Sequence, residues 1–110
     1  SDMALFTALG GSGPAYLYRF IDALSVAAVR LGMDEATAQA TAMATVKGAA
    51  KLAAAASDSP GVLADRVASP GGSTREGMNV LDADDALIRL LEATLAAARD
   101  RNIELSKLAD

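Results

Sequence analysis

The chain has 110 residues, a formal net charge of -4 and neither cysteine nor histidine, so we expect a single domain. The missing residue types exclude zinc fingers, thiol nucleophiles, imidazole bases and disulfide frameworks. Because the ten lysine and arginine residues are scattered and outnumbered by acidic ones, duplex nucleic acid is also excluded as a partner.

Alanine occupies 26 positions, whereas aromatic residues make up only 4% of the chain. Alanine has the highest helix propensity and lets helices approach closely. Hydrophobic residues nevertheless reach 52%, and the mean hydropathy is +0.25. Since a small domain leaves much of its surface in water, this apolar surplus predicts an interface, and we expect an oligomer.

We expect no membrane segment. The alanine-rich stretch from Glu35 to Ala56 is interrupted by Lys47, Lys51 and several uncharged polar residues, and no secretory signal is evident. Together with the absence of cysteine, this pattern indicates a cytoplasmic location.

The first element in chain order is a short apolar run with a weak strand pattern at Leu5 to Leu9. After the glycines that follow, Pro14 suits the first turn of a helix. Apolar residues at helical spacing continue this helix to Leu31, and Gly32 predicts its end. The helix is apolar around most of its circumference, which is typical of the centre of a bundle or of an interface.

Asp34 is the predicted N-cap of a second helix that runs to about Ala56. Gly48 lies inside this helix, where glycine costs about 1 kcal/mol relative to alanine. We expect close packing against another helix to offset that cost.

Three further helices are predicted, at Gly61 to Val67, Thr74 to Leu81 and Asp85 to Leu108. Ser59 and Pro60 mark the start of the first of these, as N-cap and first helical residue. The acidic run of residues 82–85 suits capping of the last. The chain is therefore predicted to be an all-α helical bundle.

The loop from Ser69 to Thr74, between the third and fourth helices, has a composition suited to binding an anion. Pro70 blocks a continuous helix, and the two glycines after it permit positive φ and close approach of a ligand to the backbone. Ser73 is the predicted N-cap of the next helix, with Glu76 completing a capping box. A carboxylate or phosphate could bind the N–H groups at this helix start; the alternative is a capped turn without a ligand.

Two other motifs carry less weight. Gly11 and Gly13 match the first two glycines of a dinucleotide-binding fingerprint, but Tyr16 occupies the third glycine position and no parallel strand follows. The aspartates of residues 82–85 lack the twelve-residue loop and terminal glutamate of a calcium site. We therefore predict no metal.

Several segments resemble one family in both order and spacing. Thr7 to Tyr16, T-A-L-G-G-S-G-P-A-Y, resembles the T-A-L-S-G-S-G-P-A-Y signature of pyrroline-5-carboxylate reductases. Gly48 to Lys51 resembles the family's G-A-A-K, and Asp65 to Thr74, D-R-V-A-S-P-G-G-S-T, resembles its D-x-V-x-S-P-G-G-T-T. The resemblance covers the C-terminal helical half of that family.

The resemblance implies that residues 1–110 form a C-terminal domain for dimerisation and substrate binding, with the N-terminal nucleotide-binding domain outside this chain. Two such domains would interlock as a homodimer, and in that family dimers often assemble into larger rings. The complete enzyme would reduce 1-pyrroline-5-carboxylate to L-proline with NADPH or NADH, in proline biosynthesis. The isolated chain would be inactive.

By the same resemblance, the loop after the third helix would hold the substrate carboxylate through its backbone N–H groups. Thr74 would be catalytic, with its hydroxyl near the ring nitrogen of the substrate. The substrate-binding residues implied are Ser69, Pro70, Gly71, Gly72, Ser73 and Thr74.

The chain departs from the family pattern at four positions. Gly10 replaces a serine and Ser73 replaces a threonine or alanine, while Arg75 and Glu76 stand where the family commonly has at least one apolar residue. A negative charge at Glu76 would repel a bound carboxylate unless the capping box or Arg75 neutralises it.

Two other functions stay open on the sequence alone. One is a free-standing helical oligomerisation module whose glycine loop is only a turn. The other is the helical domain of a different two-domain dehydrogenase, such as one acting on a β-hydroxyacid. Such enzymes commonly place a catalytic lysine on a helix, and Lys47 and Lys51 are the candidates here.

Overall fold

The computed structural model describes residues 2–109, and every regular element in that range is helical. In chain order the elements are α1 (Asp2–Phe6), a π-helical turn (Thr7–Gly11), α2 (Gly13–Arg30), α3 (Glu35–Ala55), α4 (Pro60–Val67), α5 (Ser73–Asp82), a 3-10 turn (Ala83–Asp85) and α6 (Ala86–Ala109). The predicted all-α class is confirmed.

The weak strand predicted at Leu5 to Leu9 is wrong. This segment is the end of α1 followed by the π-helical turn, which closes with a hydrogen bond from the Ser12 N–H to the Thr7 carbonyl at 3.0 Å. A short apolar run does not by itself distinguish strand from helix. Both α1 and the π-helical turn pack on α6, so this segment is helical where it contacts another helix.

The described residues form two compact units. The first contains the chain up to residue 14 and from Ala68 onward, that is α1, the π-helical turn, α5 and α6. Here α5 also packs on α6, and Asn102 of α6 donates a hydrogen bond from Nδ2 to the carbonyl of Ala4 in α1 at 3.1 Å. Residues nearly a hundred positions apart are thus joined directly.

The second unit, residues 15–67, contains most of α2 together with α3 and α4. α2 ends in a Schellman motif: Met33 N–H donates to Ala28 O at 3.0 Å, and Gly32 N–H donates to Val29 O at 2.9 Å. Gly32 has a φ of +113°, which glycine adopts readily. The predicted end of this helix is confirmed.

Side-chain caps start α3 and α4 as predicted. Asp34 Oδ2 accepts hydrogen bonds from the Thr37 backbone N–H at 3.0 Å and from the Thr37 hydroxyl at 3.1 Å. These bonds favour the carboxylate and hold the pKa of Asp34 below its ordinary value of 3.8. Ser59 Oγ accepts from the Val62 N–H at 3.3 Å, and Pro60 is the first residue of α4.

The buried apolar side chains of the described residues are all alanines, and none of the large ones is fully buried. Both units instead expose bulky aliphatic and aromatic residues. On α2 these are Leu17, Tyr18, Phe20, Leu24, Val26 and Val29; on α6 they are Ile88, Leu90, Leu91, Leu105 and Leu108. An alanine core lets helices approach closely, but here many large apolar side chains stay substantially exposed.

Two local expectations concern Gly48 and the acidic run of residues 82–85. A Cβ added at Gly48 would meet open space, so close packing against another helix of the same chain does not offset its helix-breaking cost. In the acidic run, Asp82 precedes the 3-10 turn without a side-chain capping bond, and Asp84 and Asp85 take left-handed conformations with φ of 53° and 56°. Aspartate tolerates this conformation better than most residues because its short side chain can bond locally. Capping of α6 by this run stays a prediction.

A search of the described residues finds no helix long and apolar enough to cross a membrane. Within the same residues, no cluster of three or more carboxylate, histidine or cysteine side chains could hold a metal ion.

Candidate functional site

The loop between α4 and α5 is built around a tight turn. The Gly72 N–H donates to the Ser69 carbonyl at 3.1 Å, with Pro70 and Gly71 as the two central residues. Gly71 has a φ of +76°, and proline followed by a glycine of positive φ is the pattern of a type II turn. The prediction of positive φ is confirmed at Gly71, whereas Gly72 has a φ of -84° and does not use this freedom.

The start of α5 lies one residue earlier than predicted. Gly72 is the N-cap, in an extended conformation, and its carbonyl accepts the first helical hydrogen bond from the Glu76 N–H at 3.1 Å. Gly72 has no side chain with which to cap the helix. The predicted Ser73 N-cap and its capping box with Glu76 are therefore wrong, because the turn delivers the chain into the helix at Gly72 and makes Ser73 the first helical residue.

Gly72 also lies close to its own loop. A Cβ at this position would come within 2.9 Å of Ser69 Oγ and 3.4 Å of the Ser69 carbonyl oxygen. Any side chain here would displace the Ser69 hydroxyl. The predicted close approach of a ligand to the two glycines stays a prediction.

Ser73 and Thr74 occupy the first turn of α5, where a helix leaves backbone N–H groups without a carbonyl partner in the helix. Their side chains are exposed, as are those of Ser69 and Pro70. The Gly72 N–H, by contrast, is used inside the turn. Backbone donors and the Thr74 hydroxyl therefore occur together at the positive end of the α5 dipole, an arrangement that suits an anion bearing a second polar group.

Arg75 is the residue whose role sequence reasoning missed. Its Nη2 donates a hydrogen bond to the carbonyl oxygen of Ala68 at 2.9 Å, and Ala68 is only 1% exposed. The arginine thus bridges the two ends of the loop. In the sequence, Arg75 is only a long side chain with hydrogen-bond donors in the first turn of a helix. Such residues are too common for the sequence to predict which group this one contacts.

Arg66, Lys47 and Lys51 lie at the surface. Arg66 forms an ion pair with Asp58 at 2.8 Å, and both side chains are substantially exposed, so this is a surface ion pair. Lys47 and Lys51, the candidate catalytic lysines of the alternative dehydrogenase function, are exposed on α3.

Comparison with known proteins places this loop in a family context. The family model for the pyrroline-5-carboxylate reductase dimerisation domain matches residues 1–105. The chain belongs to the pyrroline-5-carboxylate reductase dimerisation family. Membership confirms the resemblance carried by the Thr7 to Tyr16 and Asp65 to Thr74 segments, and it decides against the helical domain of a β-hydroxyacid dehydrogenase.

Curated relatives agree with this membership. The chain is 42% identical over 101 residues to a pyrroline-5-carboxylate reductase of Arabidopsis thaliana, covering 92% of this chain and 36% of the relative. It is 47% identical over 77 residues to one of Aquifex aeolicus, covering 70% of this chain and 29% of the relative. The dimerisation domain thus spans about a third of the length of the curated relatives it matches.

Solved structures of the same family share the fold. The structure of a pyrroline-5-carboxylate reductase from Coxiella burnetii matches with a TM-score of 0.87 and 38% identity, covering 94% of this chain and 38% of that one. A crystal structure of the Plasmodium falciparum enzyme with NADP bound matches with a TM-score of 0.84 and 30% identity, covering 92% and 38% respectively. Enzymes of this family thus include one with a nicotinamide cofactor bound.

Proposed function

We propose that this chain is the dimerisation and substrate-binding part of a cytoplasmic enzyme that reduces 1-pyrroline-5-carboxylate to L-proline in proline biosynthesis. The observation that carries the proposal is the turn from Ser69 to Gly72, which leads directly into α5 and its second residue, Thr74. The chain that contains this turn belongs to the reductase dimerisation family. NADPH or NADH would bind mainly to a nucleotide-binding domain outside these 110 residues.

The substrate carboxylate is assigned to the loop and the start of α5. Its negative charge would lie against the N–H groups of Ser73 and Thr74, which have no carbonyl partner within the helix. The α5 dipole adds a positive potential at the same point. Ser69, Pro70, Gly71 and Gly72 shape the approach, and glycine leaves the backbone uncovered there.

Thr74 is assigned to the reacting end of the substrate. Reduction adds a hydride to the carbon of the C=N bond and leaves a proton on the nitrogen, and a protonated imine is the better hydride acceptor. Bound NADPH or NADH supplies the hydride and leaves as NADP⁺ or NAD⁺. The Thr74 hydroxyl would hydrogen-bond the ring nitrogen, fixing its position and helping to deliver the proton.

A second copy of the chain is the proposed partner, and dimers would assemble into larger rings. The bulky apolar residues exposed on α2 and α6 are the surface available for this association. A homodimer would remove them from water, which is the largest favourable term in most associations. No metal, nucleic acid or membrane takes part in the proposed function.

The test of the proposed catalytic role is Thr74→Val in the full-length reductase. Loss of the hydroxyl removes proton delivery and orientation at the ring nitrogen, so we expect kcat for 1-pyrroline-5-carboxylate to fall at least about tenfold. Thr94→Val is the matched control, because the Thr94 hydroxyl bonds the Leu90 carbonyl on α6 at 2.8 Å and lies outside the loop. Unchanged kcat and KM in Thr74→Val would remove Thr74 from the mechanism.

A further inference from the structure

We propose that Arg75 is a positioning residue for the substrate loop, an inference that rests on the proposed function. Arginine at this position is one of the chain's departures from the family pattern. We therefore infer its role from its contacts in the structure. The Arg75 guanidinium ties the start of α5 to the residue that follows α4 and thereby fixes the loop that the substrate carboxylate would contact.

The loop is closed by two nested hydrogen bonds. The inner one joins the Gly72 N–H to the Ser69 carbonyl at 3.1 Å, and the outer one joins Arg75 Nη2 to the Ala68 carbonyl at 2.9 Å. Ala68 is buried and Arg75 is half-buried, so the outer bond is partly shielded from water. A hydrogen bond from a charged donor is stronger than one between neutral groups, and shielding strengthens it further.

The outer bond acts on the residues between its ends. Ser73 and Thr74 lie inside the segment that it closes, immediately before Arg75. A loop already held in its binding conformation loses less conformational entropy when a ligand docks, which improves affinity without any new contact to the ligand.

The expected kinetic signature follows from this role. Arg75 would position the loop equally in the substrate complex and in the transition state. An interaction of that kind raises KM when it is lost and leaves kcat nearly unchanged. A catalytic group such as Thr74 would give the opposite split.

The first test compares Arg75→Met, Arg75→Lys and Arg66→Met in the full-length reductase. We expect Arg75→Met to raise KM for 1-pyrroline-5-carboxylate about tenfold, with kcat within about twofold and KM for the nicotinamide cofactor unchanged. Arg75→Lys, which keeps the charge and one donor direction, should recover part of this loss. Arg66→Met removes the same charge two residues before Ala68 and should leave KM unchanged.

A KM within twofold of the unsubstituted enzyme in Arg75→Met would overturn the proposal. An equal rise in Arg66→Met would also overturn it, since the effect would then be one of net charge. If Arg75→Met fails to fold, the Arg75→Lys variant decides alone: a modest rise in KM at constant kcat supports positioning, and a fall in kcat with unchanged KM contradicts it.

A second test does not depend on activity. Amide hydrogen exchange reports the inner bond directly, and we expect the Gly72 N–H to exchange about tenfold faster in Arg75→Met. The Gly32 N–H, held in the Schellman motif of α2, should not change. Unaltered Gly72 exchange would overturn the role of Arg75, whereas an unsubstituted full-length protein that does not reduce 1-pyrroline-5-carboxylate would overturn the proposed function.

Discussion

Gly72 takes part in two backbone hydrogen bonds, and a Cβ added there would come within 2.9 Å of the Ser69 hydroxyl oxygen. Its N–H closes the turn on Ser69, and its carbonyl accepts the first bond of α5 from Glu76. The glycine-containing turn and the positive φ of Gly71 can be predicted from the sequence. The start of the helix cannot be predicted in the same way. Ser73 and Glu76 match a capping box, but the preceding turn makes Gly72 the N-cap instead.

Glu76 offers a test of the charge balance at the proposed carboxylate site. The residue lies in the first turn of α5. Its negative charge interacts favourably with the positive end of the helix dipole there, but it would repel a bound anion. We expect Glu76→Gln to lower KM for 1-pyrroline-5-carboxylate by about threefold and to reduce stability by about 0.5 kcal/mol. Steady-state kinetics and thermal unfolding of the full-length enzyme measure the two effects.

Glu92→Gln is the matched control, since Glu92 is exposed on α6, away from the helix start. It should change neither KM nor the unfolding temperature. A rise in KM for Glu76→Gln would contradict the placement of the carboxylate at the start of α5.

At the scale of the helices, boundaries are predictable wherever the signal is local. Asp34, Ser59 and Gly32 each act on backbone groups within five residues, so their caps can be identified from the sequence and are found in the structure. The segment from Leu5 to Leu9 is different, because its π-helical turn packs on α6, far away in the chain. No local pattern encodes that contact.

Gly32→Ala tests the termination of α2. An alanine at a φ of +113° is strained, and the two closing hydrogen bonds of the Schellman motif depend on that conformation. We expect a loss of about 1–2 kcal/mol in the free energy of unfolding, measured by chemical denaturation. Gly32→Asn should lose less free energy of unfolding, because asparagine tolerates left-handed conformations better than alanine does. An alanine variant as stable as the original would contradict the expected backbone strain.

At the scale of the whole molecule, composition already predicts an interface but not which faces form it. The described residues bury alanines and leave bulky side chains exposed in both units; Phe6, for example, is 72% exposed and Leu31 is 90% exposed. The faces that a partner covers depend on the arrangement of a second chain, which hydrophobic periodicity along one chain does not specify. Membership of a dimerisation family agrees with the prediction of an interface.

The measurement that tests the central claim most directly is sedimentation velocity of this chain at micromolar concentration. The claim is that these helices are completed by a second copy, which removes the exposed apolar faces of α2 and α6 from water. We expect a species of at least twice the 11.1 kDa chain mass, with full helical circular dichroism. A stable, fully helical monomer of 11.1 kDa would contradict it.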